Sequence, residues 1–324
     1  RVSLMGMCDR QWRRVVVALM AVWLLTSADG LPAAAQPAEG SLIRAVRQGN
    51  SVSTVAQLLE EGADVNASEP DGTTALHWAV QADALNTAQR LIAAGASVGT
   101  ANRYGVTPLA LAATNGSPNM VRVLLAAGTA PDVTTPGGDT PLMIAARTGR
   151  VEVLRQLLTA GAAVNAAERW KGQTALMWAA AEGNDEAILT LIAAGANIEA
   201  RSAGQLSPLL FGVRQGHTAA VSALLNAGAD VNAPTNDGTS PLALAVINAH
   251  FELANLLLDH GADPTLADPR GSVLHALAWI RRPGSGRPPP PTGTVDSLDL
   301  ARALLDAGAD PNLRLSWREV PFEV

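Results

Sequence analysis

The stretch TPLALAATNGSPNMVRVLLAAG, residues 107–128, contains a complete structural sentence. Thr107 offers a side-chain oxygen at a helix N-cap, and Pro108 sits at the first helical position, where its missing N–H costs nothing. A short Ala/Leu helix follows and stops at Gly116. A second helix carries Val121, Leu124 and Leu125 at i, i+3 and i+4, the spacing of one buried face. Gly128 closes it, at a position where a left-handed backbone favours glycine.

The same sentence recurs along the chain. Its leucine stands at Leu42, Leu76, Leu109, Leu142, Leu176, Leu209, Leu242 and Leu274, in steps of 32 to 34 residues. Its closing glycine stands at Gly62, Gly95, Gly128, Gly161, Gly195, Gly228, Gly261 and Gly308. The hydroxyl–proline opening returns as Thr140-Pro141, Ser207-Pro208 and Ser240-Pro241, and the turn glycine as Gly149, Gly183 and Gly216. Between units lie extended Asp/Asn-rich stretches such as Asp64-Val65-Asn66-Ala67. Two landmarks keep step through eight units, so the chain is a repeat array. Composition agrees. Hydrophobic residues make up 48% of the 324 residues but aromatics only 3%, which suits thin layers of closely packed small side chains and not one large core.

The motifs Thr74-Ala75-Leu76-His77-Trp78-Ala79, Thr107-Pro108-Leu109-Ala110-Leu111-Ala112 and Gly228-Ala229-Asp230-Val231-Asn232-Ala233 resemble those of the ankyrin-repeat family, over residues 40 to about 314. The resemblance implies an all-α solenoid of stacked helix-turn-helix units with hairpin-like loops projecting as fingers, and a concave face made by helices and fingers together. On this reading the units are 40–71, 72–104, 105–137, 138–171, 172–204, 205–237, 238–270 and 271–314, with the first as an N-terminal cap. The eighth is interrupted by a Pro-rich insertion, 282–297, containing Pro288–Pro291 and read as a solvated loop.

Residues 1–35 read as an address. Arg10, Arg13 and Arg14 precede the apolar run Val15–Leu25, and Ala33-Ala34-Ala35 ends the segment. That order describes a secretory signal peptide, with cleavage expected after Ala35 and 36–39 as a short linker. The apolar run is shorter than the roughly 20 residues a bilayer requires. The expected localisation is therefore exported from a bacterial-type cytoplasm, to the periplasm or outside the cell. The start is expected at Met5 or Met7. Residues 315–324 carry no polar capping helix, so further repeats are expected beyond Val324.

The net charge is -6, and without residues 1–35 it is -8, with 19 basic and 27 acidic side chains. An acidic chain repels phosphate backbones, which argues against nucleic acid and anionic membranes as partners. Cys8, the single cysteine, lies in the segment expected to be removed, which leaves no disulfide or thiol chemistry. His77, His217, His250, His260 and His275 all occupy repeat positions, and no two have metal-chelating spacing. Every glycine landmark is explained by the period, and no phosphate loop or nucleophile elbow is present. The chain is therefore expected to be no enzyme and to use no cofactor, metal or small-molecule substrate.

What remains is recognition of another protein, carried where the units differ from one another. The finger tips differ most, at Asp71, Arg103-Tyr104, Asp139, Arg169-Trp170-Lys171, Gln205, Asn236-Asp237 and Pro269-Arg270. Tyr104 and Trp170 are large rings on loop tips, of the residue types that dominate interface energies. The fifth unit's opening finger is one residue longer, which places the expected hot spot at Arg169-Trp170-Lys171. A second layer closes the first helices, at Thr114-Asn115, Arg147, Glu182, Arg214 and Asn248. The column Trp78, Leu111, Ile144, Trp178, Phe211 and Leu244 is read as packing between units, with the two tryptophans partly exposed at the rim. Two other roles fit the same array: a docking region of a larger exported enzyme, and an inhibitor or immunity protein.

Overall fold

A computed structural model describes residues 38–266, 271–281 and 293–313. The expected signal peptide, the finger tip Pro269-Arg270, most of the Pro-rich insertion and residues 315–324 lie outside these. Within them the backbone forms sixteen helices and no named strand, in eight pairs. The first helices are α1 (Ala38–Arg47), α3 (Ala75–Gln81), α5 (Pro108–Asn115), α7 (Pro141–Thr148), α9 (Ala175–Glu182), α11 (Pro208–Gln215), α13 (Pro241–Ile247) and α15 (Val273–Ile280). Their partners are α2 (Val52–Glu60), α4 (Leu85–Ala93), α6 (Pro118–Ala126), α8 (Val151–Thr159), α10 (Asp185–Ala193), α12 (Thr218–Asn226), α14 (Phe251–Asp259) and α16 (Ser297–Asp306). The first helix begins at Ala38, inside the stretch read as a linker. Ala38 and Glu39 follow Pro37 and are both good helix formers, and the helix carries the single Gly40 behind them.

Each first helix packs against its own second helix and against the first helices on either side, and the second helices form a parallel outer row. The recurring leucine sits at the centre of this packing. Leu42, Leu76, Leu109, Leu142, Leu176, Leu209 and Leu242 are at most 1% exposed. Around them Ala79, Ala112, Ala145 and Ala179 are fully buried, because neighbouring first helices approach too closely for larger side chains. That close approach is the structural reason for an apolar but ring-poor composition.

Helix starts follow the expected grammar. Thr74, Thr107, Thr140, Thr174, Ser207, Ser240 and Ser272 each accept from the backbone N–H three residues on. Gly116, Gly149, Gly183 and Gly216 adopt left-handed conformations at the ends of their helices. The last carbonyls of several first helices are met by the following unit. Asn184 Nδ2 donates to Ala146 O and Arg147 O at 2.9 and 3.0 Å, and Asn115 Nδ2 to Val80 O at 2.9 Å. His217 Nε2 and His250 Nε2 lie 3.1 and 3.3 Å from Ala181 O and Arg214 O, and as donors they satisfy those helix ends.

His77 is a buried strut. Its Nδ1 accepts from Thr74 N at 3.2 Å, and Nε2 donates to Val106 O at 3.1 Å. A carbonyl can only accept and an amide can only donate, so this pair selects the neutral Nε2–H tautomer. Burial holds the His77 pKa below the ordinary histidine range, opposed by the Val106 carbonyl. His275 repeats the capping arrangement with Ser272. In the seventh unit, Glu252 on α14 accepts from Thr294 N and Oγ1, at 2.7 and 3.0 Å, which ties the end of the eighth unit's insertion to the seventh unit.

Candidate protein-binding surface

Between units the chain turns in a tight hairpin whose opening residue is bonded on both sides: its carbonyl accepts from an N–H within the turn, as Glu69 O does from Gly72 N, and its own N–H donates across the turn. The bonds run from Glu69 N to Thr73 O, Asn102 N to Val106 O, Thr135 N to Asp139 O, Glu168 N to Gln173 O, Ser202 N to Leu206 O, and Thr235 N to Thr239 O. Five of these span four residues, and the Glu168 bond spans five. The extra residue in the fifth unit's finger therefore extends its tip while the closing bond is kept.

In five of these six hairpins the opening residue also holds the turn from its side chain. Asn102 Oδ1 accepts from Tyr104 N and Val106 N, Thr135 Oγ1 from Asp139 N, Ser202 Oγ from Leu206 N, and Thr235 Oγ1 from Thr239 N. Glu168 does most. It is 6% exposed, with Oε2 accepting from Trp170 N at 2.7 Å and Oε1 from Lys171 N at 2.7 Å and Gln173 N at 3.0 Å. Sequence reasoning passed over this column because Glu, Asn, Thr and Ser share no obvious pattern. Their common property is a short reach to the hairpin's own amides.

Fingers also bond to one another. Arg103 N donates to Asp71 O, Arg169 N to Gly137 O, and Ala203 N to Lys171 O. Gly138, at φ +90°, lets the fourth and fifth fingers touch. A Cβ there would come within 2.9 Å of Arg169 N.

The expected site residues divide by what holds them. Trp170 is 80% exposed and Tyr104 59%, the two largest ring exposures on the fingers. Trp170 projects from a finger whose backbone Glu168 fixes, with its indole edge beside Gly137. Arg103 stacks over Tyr104 at 5.2 Å and donates to its hydroxyl at 3.0 Å, so the two form one amphipathic tip. Arg169, Lys171 and Asn236 are exposed, and Gln205 is exposed in a left-handed turn. Asp71 and Asp237 hold their own fingers, each accepting from a backbone N–H two residues on, at Thr73 and Thr239. Asp139 accepts from Thr135 Oγ1 at 3.5 Å.

In the second layer Asn115 ties units together, as above, and Thr114 Oγ1 donates to Ala110 O. Arg147 is exposed and its guanidinium lies 5.3 Å over the Trp178 ring, while Arg214 lies 5.1 Å over Phe211. Glu182 lies at the end of α9, half-buried. The column itself packs between units: Ile144 and Phe211 are buried, and Trp78, Leu111, Trp178 and Leu244 are half-buried against the core. Arg47, which sequence reasoning did not single out, lies 5.6 Å over Trp78.

Charge is sorted by face. The second helices and connectors carry a largely acidic set, including Glu60, Glu61, Asp64, Glu152, Asp185, Glu186, Glu199 and Asp230. Among the described residues most of the cations sit on first-helix ends and fingers, at Arg44, Arg47, Arg103, Arg147, Arg169, Lys171, Arg201 and Arg214, alongside the acids Glu69, Asp71, Asp139, Glu168, Glu182 and Asp237. Among the described residues no group of three His, Cys, Asp or Glu could hold a metal ion, and no helix is long and apolar enough to cross a membrane.

A family model for ankyrin repeats, in three copies, matches residues 42–135, 124–202 and 202–268. This chain belongs to the ankyrin-repeat family. Among solved structures, the ankyrin repeat domain of human ASB11 is 24% identical over 69% of this chain and 98% of its own, with a TM-score of 0.61. The ankyrin repeat domain of Bcl-3, described as a unique member of the IkappaB protein family, is 31% identical over 64% of this chain and 94% of its own, with a TM-score of 0.57. No curated protein matches significantly by sequence. The ankyrin solenoid is an interaction scaffold. Its specificity resides in the side chains that one member presents and another does not.

Proposed function

We propose that this ankyrin-repeat protein binds a partner protein with its fingers and first-helix ends, centred on Trp170, and that it acts after export, in the periplasm or outside the cell. One observation carries the binding centre. An indole ring stands 80% exposed on a finger that a buried carboxylate holds by three backbone N–H bonds. A ring that contributes no core packing, on a support that is already ordered, can bury its area against a partner with little entropy to lose. Tyr104 with Arg103, two fingers away, supplies a second aromatic tip of the same kind. Export rests on the basic–apolar–small-residue order of residues 10–35.

The test is affinity capture with the full chain beside its Trp170→Ala variant, followed by titration of whatever the first retains and the second does not. A central aromatic contact predicts an affinity loss of about 2 kcal/mol or more, near thirtyfold. Capture of the same partners with equal affinity by both proteins refutes the assignment of Trp170. Export is checked by N-terminal sequencing of the protein recovered from a bacterial periplasm, where a chain beginning at Gln36 is expected.

A further inference from the structure

The junction of the first and second units and that of the fourth and fifth carry the same three-residue arrangement, about a hundred residues apart, and the two copies are wired differently. In the first copy Arg47 stacks over Trp78, and Glu69 sits between them. Its Oε1 takes Arg47 at 3.0 Å and its Oε2 takes the Trp78 indole N–H at 3.0 Å. In the second copy Arg147 stacks over Trp178 in the same way, and Glu168 is the residue that opens the hairpin as Glu69 does. Glu168, however, is turned into its own longer finger and serves three backbone amides.

The finger explains the difference. In the second unit's finger the turn amide of Thr73 is taken by Asp71, which leaves the Glu69 carboxylate available to Arg47 and Trp78. The fifth unit's finger has Arg169-Trp170-Lys171 at its tip and no acid of its own there, so Glu168 takes the turn amides. Two donors are left over. The Trp178 indole N–H is buried without an acceptor, and Arg147 makes no ion pair with any described carboxylate. A buried N–H without an acceptor costs free energy that a matching oxygen would recover. A guanidinium stacked on a ring keeps its N–H edge for a carboxylate, and the pairing is strong because both partners are charged.

We infer that the Arg147–Trp178 pair is a receptor for an aspartate or glutamate side chain of the partner protein, which takes the place that Glu69 takes at Arg47–Trp78. This rests on the protein-binding reading above and deepens it: the partner presents an acidic side chain next to whatever covers Trp170. Arg147 is exposed and lies over the ring, so it is the part that moves to admit the acid. The surrounding cations on the fingers and first-helix ends favour an acidic partner on this face, although the chain as a whole is acidic.

The test observes the indole directly. In the full chain labelled with nitrogen-15, the indole N–H resonances of Trp78, Trp170 and Trp178 are assigned by Trp→Phe variants. The protein is then titrated with a blocked Gly-Gly-Glu-Gly-Gly peptide, with its Gln twin, and with inorganic phosphate. The Glu peptide is expected to shift the Trp178 indole saturably, at concentrations on the order of millimolar for so small a ligand. The Gln twin and phosphate are expected to leave it in place, and Trp78 is expected not to respond. Arg147→Gln should weaken the response at least tenfold, whereas Glu69→Ala should make Trp78 respond as Trp178 does. No shift at Trp178, an equal shift with Gln or phosphate, or a Trp78 that stays silent after Glu69→Ala overturns the inference. Loss of this response with a Trp170-dependent partner still captured overturns only the acid receptor; loss of Trp170 dependence overturns the broader reading as well.

Discussion

Replacing Glu168 with Gln tests whether one buried carboxylate presents the binding finger. In the native protein its two oxygens accept three backbone N–H groups, Trp170 and Lys171 at 2.7 Å and Gln173 at 3.0 Å. Glutamine keeps the shape but offers one acceptor oxygen. With that oxygen toward Lys171 and Gln173, the amide NH2 faces Trp170 N–H, donor against donor. The variant loses a hydrogen bond to a charged group, worth about 1.5–3 kcal/mol, weakens two others, and leaves one partly buried amide unmet, for a cost of roughly 2–4 kcal/mol on opening the finger. The assay is native-state hydrogen exchange at Trp170, Lys171 and Gln173. Protection there is expected to fall roughly thirtyfold to a thousandfold, since about 1.4 kcal/mol is tenfold. Amides of α9 two turns away should change far less, because the loss is confined to a loop. Unchanged protection at Lys171 and Gln173, with the fold intact, would refute the claim that Glu168 orders this finger.

Other expectations follow from the same geometry. Leu176→Ala removes a side chain that is 1% exposed between two first helices and should destabilise the array by about 2–5 kcal/mol in urea titration followed by helical circular dichroism; Trp170→Ala, exposed at a tip, should stay within about 0.5 kcal/mol. A comparable loss from both would contradict the separation of core from recognition surface. Stability should also fall with acid through the histidines. Burial lowers the pKa of His77 and of His250 in the folded chain, so both bind a proton more readily unfolded. Their contribution is complete above the unfolded histidine value near 6.5 and is lost as pH falls below it. Urea midpoints measured at pH 7.5 and pH 5 should therefore drop, and His77→Gln should reduce the drop; an equal drop in the variant would assign the acid sensitivity elsewhere.

Much of the molecule was legible from residues alone because its determinants are local and repeated. A hydroxyl before seven of the eight first helices, glycine at most left-handed turns and leucine at one phase of a 33-residue period each act within a few residues, and the repetition makes the pattern unmistakable. The exposure of Trp170 was legible too, since a ring on a hairpin tip has no core to join. What only the tertiary structure decided was the direction of long polar side chains that choose between partners in different units. Glu69 and Glu168 are the same residue at the same place in the hairpin, and one extra residue beyond Glu168 turns it from its neighbours to its own backbone. That choice depends on distances of a few ångströms between groups 9 and 22 positions apart, which no periodicity encodes. It is also what leaves the Arg147 guanidinium and the buried Trp178 indole N–H without the carboxylate that Glu69 supplies to their counterparts.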